Sequence, residues 1–271
     1  MLLALLPLAL LRARLCHALQ QGGPLHGRIG SPYFVPDWPA LYAHAELRPA
    51  QLAVVDPYHG GGLDVERIAG FRRAFPSVGL LPYSGAAAPD PRDLLQLAAA
   101  GVHGVVVRDR NDDPTSLRQA VADALAHSFI DVVRRGLDGV IPPELQPLLQ
   151  ALLARADTRI TPAQAARFAF SHPNTVRKRL EAAGLPPLNK LIVWTRLFRA
   201  AHLLGDPGRS VENVAFTLDY ASASALHVQV QRYFSASPRA VMERGGLPWA
   251  LAEFRRRHLA QRWELHARRQ V

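Results

Sequence analysis

Residues 188–204 read LNKLIVWTRLFRAAHLL, an unbroken helical run that follows Pro187 and stops at Gly205. At 1.5 Å per residue such a run makes a rod of roughly 26 Å. A stretch of the same design lies on either side of it. Residues 161–184 read TPAQAARFAFSHPNTVRKRLEAAG. Thr161 can cap a helix that opens with Pro162, and the small Ala165 and Ala166 let a second helix cross closely. After a break at Phe170-Ser171, Val176, Leu180 and Ala183 share one helical face, while Asn174, Arg177, Lys178 and Glu181 point the other way at 100° per residue. Residues 210–238 read SVENVAFTLDYASASALHVQVQRYFSASP. Ser210 caps a helix holding Val211, Val214, Ala215 and Leu218. The break falls at Asp219-Tyr220, and the next helix turns Leu226, Val230 and Tyr233 inward. Its outer face offers Ser224, Ala225, Val228, Gln231 and Arg232. A helix, a tight turn and a second helix with a polar or basic outer side is the helix-turn-helix plan.

Charge follows the same division. The chain has 271 residues and a formal net charge of +10, a length that suits two domains. Residues 1–150 hold 13 Arg against 14 acids, whereas residues 151–271 hold 17 Arg, 2 Lys and 8 acids. The whole excess therefore sits in the second half, as in a polyanion-binding module joined to one that does not touch the polyanion. A basic surface kept for solubility is the plainer alternative. Pro142-Pro143 marks the junction, Glu144–Arg155 reads as the first helix beyond it, and Gly184, Gly205 and Gly245 stop later helices. The last stretch carries Arg255, Arg256, Arg257, Arg262, Arg268 and Arg269 beside Trp249, Phe254 and Trp263, the pattern of a basic amphipathic helix.

The second half resembles the DNA-binding domain of AraC/XylS-type transcription regulators. The resemblance rests on Arg196-Leu197, Ala200-Ala201 and Leu203-Leu204 in the rod. It continues through Val214-Ala215, Tyr220, Ser224, Leu226, Val230, Phe234 and Ser237-Pro238. It implies an all-α domain with two helix-turn-helix motifs, double-stranded DNA as partner, and RNA polymerase as a further partner. Asn174, Thr175, Arg177 and Lys178 would contact DNA from the first motif; Ser224, Ala225, Val228, Gln231 and Arg232 would do so from the second. Arg177 and Lys178 suit guanine edges or phosphates, Asn174 suits adenine, and Ala225 and Val228 suit thymine methyls. The chain departs from the family at Asp219 and Ser235, where glycines are usual, and at Val228 and Gln231, where basic residues are frequent. The turn at Asp219 is thus expected to form without positive φ, and the first motif to carry more of the binding. Arg179 is expected on the core side, and Arg196 in a structural ion pair.

The first half alternates apolar runs with amphipathic stretches. Strands are expected at Leu2–Leu6, Leu52–Val55, Val78–Leu81 and Val105–Val107, and helices at Leu10–Gln20, Ala40–Leu47, Val65–Phe75, Pro91–Ala100 and Thr115–Val133. Such alternation predicts an α/β fold with a doubly wound parallel sheet. Residues 1–127 resemble the receiver domain of two-component response regulators, a flavodoxin-like fold. Asp56 fits the phosphoacceptor, Ser84 the hydroxyl residue past the strand, and Arg108, after Ala100-Gly101-Val102-His103-Gly104, the family's lysine. Phosphoryl transfer to a carboxylate needs Mg²⁺, which receivers hold with acids after the first strand. Here that place is Pro7-Leu8, and no acid precedes Asp37. The resemblance thus implies a degenerate receiver without metal or cofactor, serving homodimerisation or partner docking, with Thr115–Val133 as the expected face. The alternative is a phosphorylation-responsive regulator with Asp56 as phosphoacceptor. The expected domains are residues 1–127, a linker at 128–141, the DNA-binding domain at 142–246 and a basic tail at 247–271.

Other classes find little support. Cys16, the one cysteine, excludes an internal disulfide framework. The 11 His show no metal-ligand spacing, and no Gly-x-Ser-x-Gly, phosphate loop or dinucleotide fingerprint is present, so catalysis is not expected. Met1–Leu11 is apolar, but its charges, Arg12 and Arg14, follow the run, and it falls short of the ~20 residues of a bilayer span. The expectation is a cytoplasmic protein without a membrane partner; attachment of the basic tail to a membrane surface is the rival.

Overall fold

The computed structural model describes residues 1–20, 30–86, 89–102 and 104–269, except for the side chains of 126–128 and 259–269. His103 and the side chains of Arg262, Trp263, Arg268 and Arg269 lie outside that description. The chain divides into two compact units: Met1–Ser128 with Asp206–Gly208, and Phe129–Gly205 with Arg209–Val271.

In the first unit the elements run β1 (Leu2–Leu5), α1 (Ala9–Gln20), β2 (Pro32–Phe34), α2 (Trp38–Leu47), β3 (Leu52–Val55), α3 (Val65–Ala74), β4 (Gly79–Ser84), α4 (Pro91–Ala99), β5 (Val106–Val107) and α5 (Pro114–Gly136). The five strands are parallel in the order β2-β1-β3-β4-β5. That is the flavodoxin-like doubly wound order, with its crevice at the carboxyl ends of β1 and β3. Alternate residues serve opposite faces. Leu3, Leu5, Ala53, Val55 and Leu80 pack under α2, α3 and α4 through Trp38, Leu41, Ile68, Phe71 and Leu97. Leu2, Ala4, Leu52, Val54 and Leu81 meet Leu11 and Leu15 of α1 and Leu117 and Val121 of α5. Coverage on both sides explains why the central strands read as apolar runs rather than alternating ones. Asp37, Asp64 and Asp90 start α2, α3 and α4 by accepting backbone N–H groups of the first turn.

Two features differ from the sequence reading. Edge strand β2 was not anticipated, because three half-exposed residues beginning with Pro show no period. β4 runs on through Pro82 to Ser84, so Ser84 is its last, fully buried residue rather than a loop residue past the strand.

The second unit takes in the end of α5, whose Phe129 and Val133 join its core with Leu137, Val140 and Ile141. Within 128–141, expected as a linker, α5 continues to Gly136 and a turn follows. A 3-10 turn at Pro143–Leu145 and α6 (Gln146–Leu153) follow, then α7 (Pro162–Phe168), α8 (Pro173–Ala182), α9 (Leu188–Leu204), α10 (Val211–Thr217), α11 (Ala223–Phe234), α12 (Pro238–Glu243) and α13 (Leu247–Arg269). α9 is the axis: Leu191, Trp194, Leu197, Phe198, Ala201 and Leu204 are all buried, so it is apolar on nearly every side. Trp194 meets Tyr233 and Phe234 of α11 and Phe254 of α13 edge-on at 5.1–5.3 Å. The start of α13 packs on this axis through Ala250, Leu251 and Phe254. Among the described residues no helix is long and apolar enough to cross a membrane.

Candidate nucleic-acid interface

The pairs α7–α8 and α10–α11 are built alike. Thr161 opens α7 with a capping box, its hydroxyl accepting from the Gln164 amide while the Gln164 side chain takes the Thr161 N–H. Ser210 caps α10 by accepting from the Asn213 amide. Both first helices end in a Schellman turn. Ser171 N–H reaches the Ala166 carbonyl and Phe170 N–H the Arg167 carbonyl, each at 3.0 Å. In the second pair Tyr220 N–H reaches Ala215 at 2.9 Å and Asp219 N–H reaches Phe216 at 3.1 Å. The residues at the left-handed position are Phe170 (φ +50°) and Asp219 (φ +54°). The expectation of a turn without positive φ at Asp219 is therefore corrected. Aspartate tolerates this region better than most L residues, and Arg159 supports it, donating to its carbonyl at 2.8 Å with the carboxylate 3.3 Å away. Arg159 was not singled out from sequence, where nothing links it to a residue so distant in the chain. Ser235, the other residue at a family glycine, likewise takes φ +53°.

α8 and α11 bury matching anchors, Val176 and Leu180 in one, Leu226 and Val230 in the other. Outward from these, α8 exposes Asn174, Thr175, Arg177, Lys178 and Arg179. Arg179, expected on the core side, is exposed instead, although it lies only about 60° around the wheel from Val176. Arg177 donates to Glu181 one turn on at 2.9 Å, a solvent-exposed pair. His172 caps α8, its Nδ1 accepting from the Asn174 amide at 3.3 Å. On α11, Ser224, Val228, Gln231 and Arg232 are exposed and Ala225 half-buried; Val228 keeps 66% of its surface. Eight of the nine expected contact residues are thus exposed and Ala225 is half-buried, with α8 rich in cations and the outer side of α11 nearly neutral. A row of exposed cations suits a polyanion.

Arg196 is structural, and among the described residues it is held by a carbonyl and a ring rather than an ion pair. From α9 its guanidinium donates to the Leu218 carbonyl at the end of α10 and lies 4.9 Å over the Tyr220 ring. A residue 8% exposed is thereby satisfied by an orphan helix-end carbonyl and an aromatic face. Burial pushes the Tyr220 hydroxyl above its usual pKa, with the nearby Arg196 opposing.

In the first unit, Asp56 follows β3 at the crevice, 5% exposed, and accepts from the Tyr58 amide at 3.0 Å. Burial raises its pKa, against the Tyr58 and Gly85 amides, which favour the carboxylate. A Cβ on Gly85 would stand 3.1 Å from the Asp56 carboxylate and 2.8 Å from the Leu8 methyl, so the glycine lets the backbone come close to this buried acid. Ser84 is turned to its own loop, its hydroxyl bonded to the Ala86 backbone. Arg108 lies near Asp109 at 3.3 Å. One buried carboxylate does not fit a hard divalent cation, which takes several oxygen ligands. Among the described residues no three His, Cys, Asp or Glu gather as metal ligands. A cluster unforeseen from sequence lies nearby: Arg14 of α1 bridges Asp109 and Asp112, and the Tyr83 hydroxyl donates to Asp112 at 2.7 Å.

The chain is similar to the HTH-type transcriptional regulator VirS of Mycobacterium tuberculosis, in strains CDC 1551 / Oshkosh and ATCC 25618 / H37Rv, at 37% identity over 76 residues. The match takes in 28% of this chain and 22% of the relative, so the chain spans about a fifth of the length of the curated relatives it matches. No family model matches the chain, and no solved structure does.

Proposed function

We propose that this chain is a sequence-specific, double-stranded-DNA-binding transcription regulator of AraC type. α7–α8 and α10–α11 act as two helix-turn-helix motifs, and α9 spaces them. The observation that carries the reading is the doubled pair: two helix–Schellman turn–helix units, each with its outward face clear, mounted on one buried helix. The similarity to proteins named as HTH-type transcriptional regulators supports it. α8 and α11 enter adjacent major grooves, whose openings on one face of B-DNA lie about 34 Å apart. Asn174, Thr175, Arg177 and Lys178 contact DNA on one side, and Ser224, Ala225, Val228, Gln231 and Arg232 on the other. The first unit is a degenerate receiver that serves homodimerisation or partner docking, RNA polymerase among the partners, in a cytoplasmic, non-enzymatic protein.

Selection of bound duplexes from a random pool tests this. Enriched sequences should hold two short blocks with centres about 10 base pairs apart. A pool with no enrichment, or binding to single strands alone, refutes the reading. The alternative, with Asp56 as phosphoacceptor, draws on its place at the β1/β3 crevice. Acetyl phosphate with Mg²⁺ should leave the mass of the chain unchanged if the buried site is inert, and phosphoryl addition at Asp56 would reinstate that alternative.

A further inference from the structure

Phe170 combines two unfavourable features. Its φ of +50° lies where glycine, asparagine and aspartate are at ease and a bulky side chain is not. Its side chain is also 99% exposed, so it contributes nothing to the core. The Schellman bonds that hold the turn would form as well around a glycine. The second pair places Asp219 at the same point and ties it to Arg159. Folding therefore does not account for an aromatic ring at 170.

Its surroundings suggest what does. Phe168, 38% exposed, carries the Arg155 guanidinium 3.9 Å above its ring. Arg167 is exposed on the last turn of α7, and the exposed face of α8 begins at Asn174, on the far side of the same turn. A bare ring in a stretch that also exposes Arg167 and the start of α8 complements a ligand that alternates anionic and apolar surface. A DNA duplex does this, with deoxyribose and base edges between its phosphates. An acidic protein surface is the competing occupant, but continuity with the outward face of α8 favours the duplex. We infer that Phe170 is a DNA contact, packing on deoxyribose or a thymine methyl beside the groove that α8 enters. This rests on the DNA-binding reading above.

The test sets stability against affinity. In the full chain, Phe170→Gly relieves the left-handed position, so Tm should rise by roughly 2–4 °C. Affinity for a labelled random-sequence duplex, and for duplexes selected from that pool, should fall about five-fold by fluorescence anisotropy. Because the lost contact is uncharged, the slope of log K against log salt should not change. Phe170→Asn, also compatible with positive φ, should behave alike, and Phe170→Trp should keep most of the affinity. A purely structural role would move stability and affinity together. Unchanged affinity in Phe170→Gly, or a loss accompanied by a lower Tm or a shallower slope, overturns the inference while the DNA-binding reading stands. Failure of the unaltered chain to bind any duplex overturns both.

Discussion

The pairs α7–α8 and α10–α11 share a backbone and differ in nearly everything they show to solvent. Both start from a hydroxyl cap, turn through a left-handed residue and bury two aliphatic anchors in the following helix. α8 then presents Arg177, Lys178 and Arg179, while α11 presents Ser224, Val228 and Gln231 beside Arg232. The second pair is in turn the better fastened. Arg196 and Arg159 both bond its turn, and Trp194 packs on Tyr233 and Phe234 of α11. Under the proposed function, the shared scaffolding would separate two tasks: charge for holding a polyanion in general, and shape with hydrogen bonding for choosing among sequences.

The largest effect should come from removing the fastening. Arg196→Leu strips the buried Leu218 carbonyl of its donor and should cost roughly 2–3 kcal/mol in urea unfolding. Hydrogen exchange should rise first in α10 and α11; equal loss in α7 and α8 would mean the two pairs are not fastened differently. Next in size, Arg177→Ala with Lys178→Ala should weaken duplex binding by about 1–2 kcal/mol and lower the salt slope by about one to two. An unchanged slope would break the division of tasks. A smaller effect acts on α13, which packs against the shared axis. Hydrogen bonds from Arg256 and Arg257 lower the Glu253 carboxyl to about 2 against an unfolded value of 4.5. A depressed folded pKa stabilises above the unfolded value, and that stability drains as pH falls from 4.5 toward 2. With its partners partly in solvent the pair is worth about 1 kcal/mol. Glu253→Gln should therefore flatten the acid limb of the stability curve and loosen both pairs alike. The smallest change is Val228→Ala, expected to cost ~1 kcal/mol or less and only on some sequences, through a lost methyl contact. A uniform loss on every duplex would assign Val228 to folding instead.

How much was legible depended on whether the signal was local. The limits of α9, Leu188–Leu204, match the reading from Pro187 and Gly205, and the breaks at Phe170 and Asp219 fall where they were placed. Caps, breakers and apolar period act within a turn or two, so they survive in a bare sequence. Partnerships across the fold do not. The bond from Arg159 to Asp219, the seat of Arg196 on Leu218 and Tyr220, and the bridge from Arg14 to Asp112 join residues far apart in the chain. Their residue types fit exposed or paired roles equally well. The β2 edge and the burial of Ser84 were missed for the same reason: only neighbouring strands define them.

The sequence by itself determined the alternation that makes a doubly wound sheet, the uneven distribution of charge, and two helix pairs about a central rod, because each is written in nearest-neighbour preferences and periodic burial. Tertiary structure alone decided that Asp56 is buried beside Gly85, that the positive-φ seats fall to Phe170, Asp219 and Ser235, and that residues 129–141 help fill a core. The physical reason is that burial and strain belong to the packed assembly. A side chain's own chemistry states what it can do, and its neighbours in space settle which of those things it does.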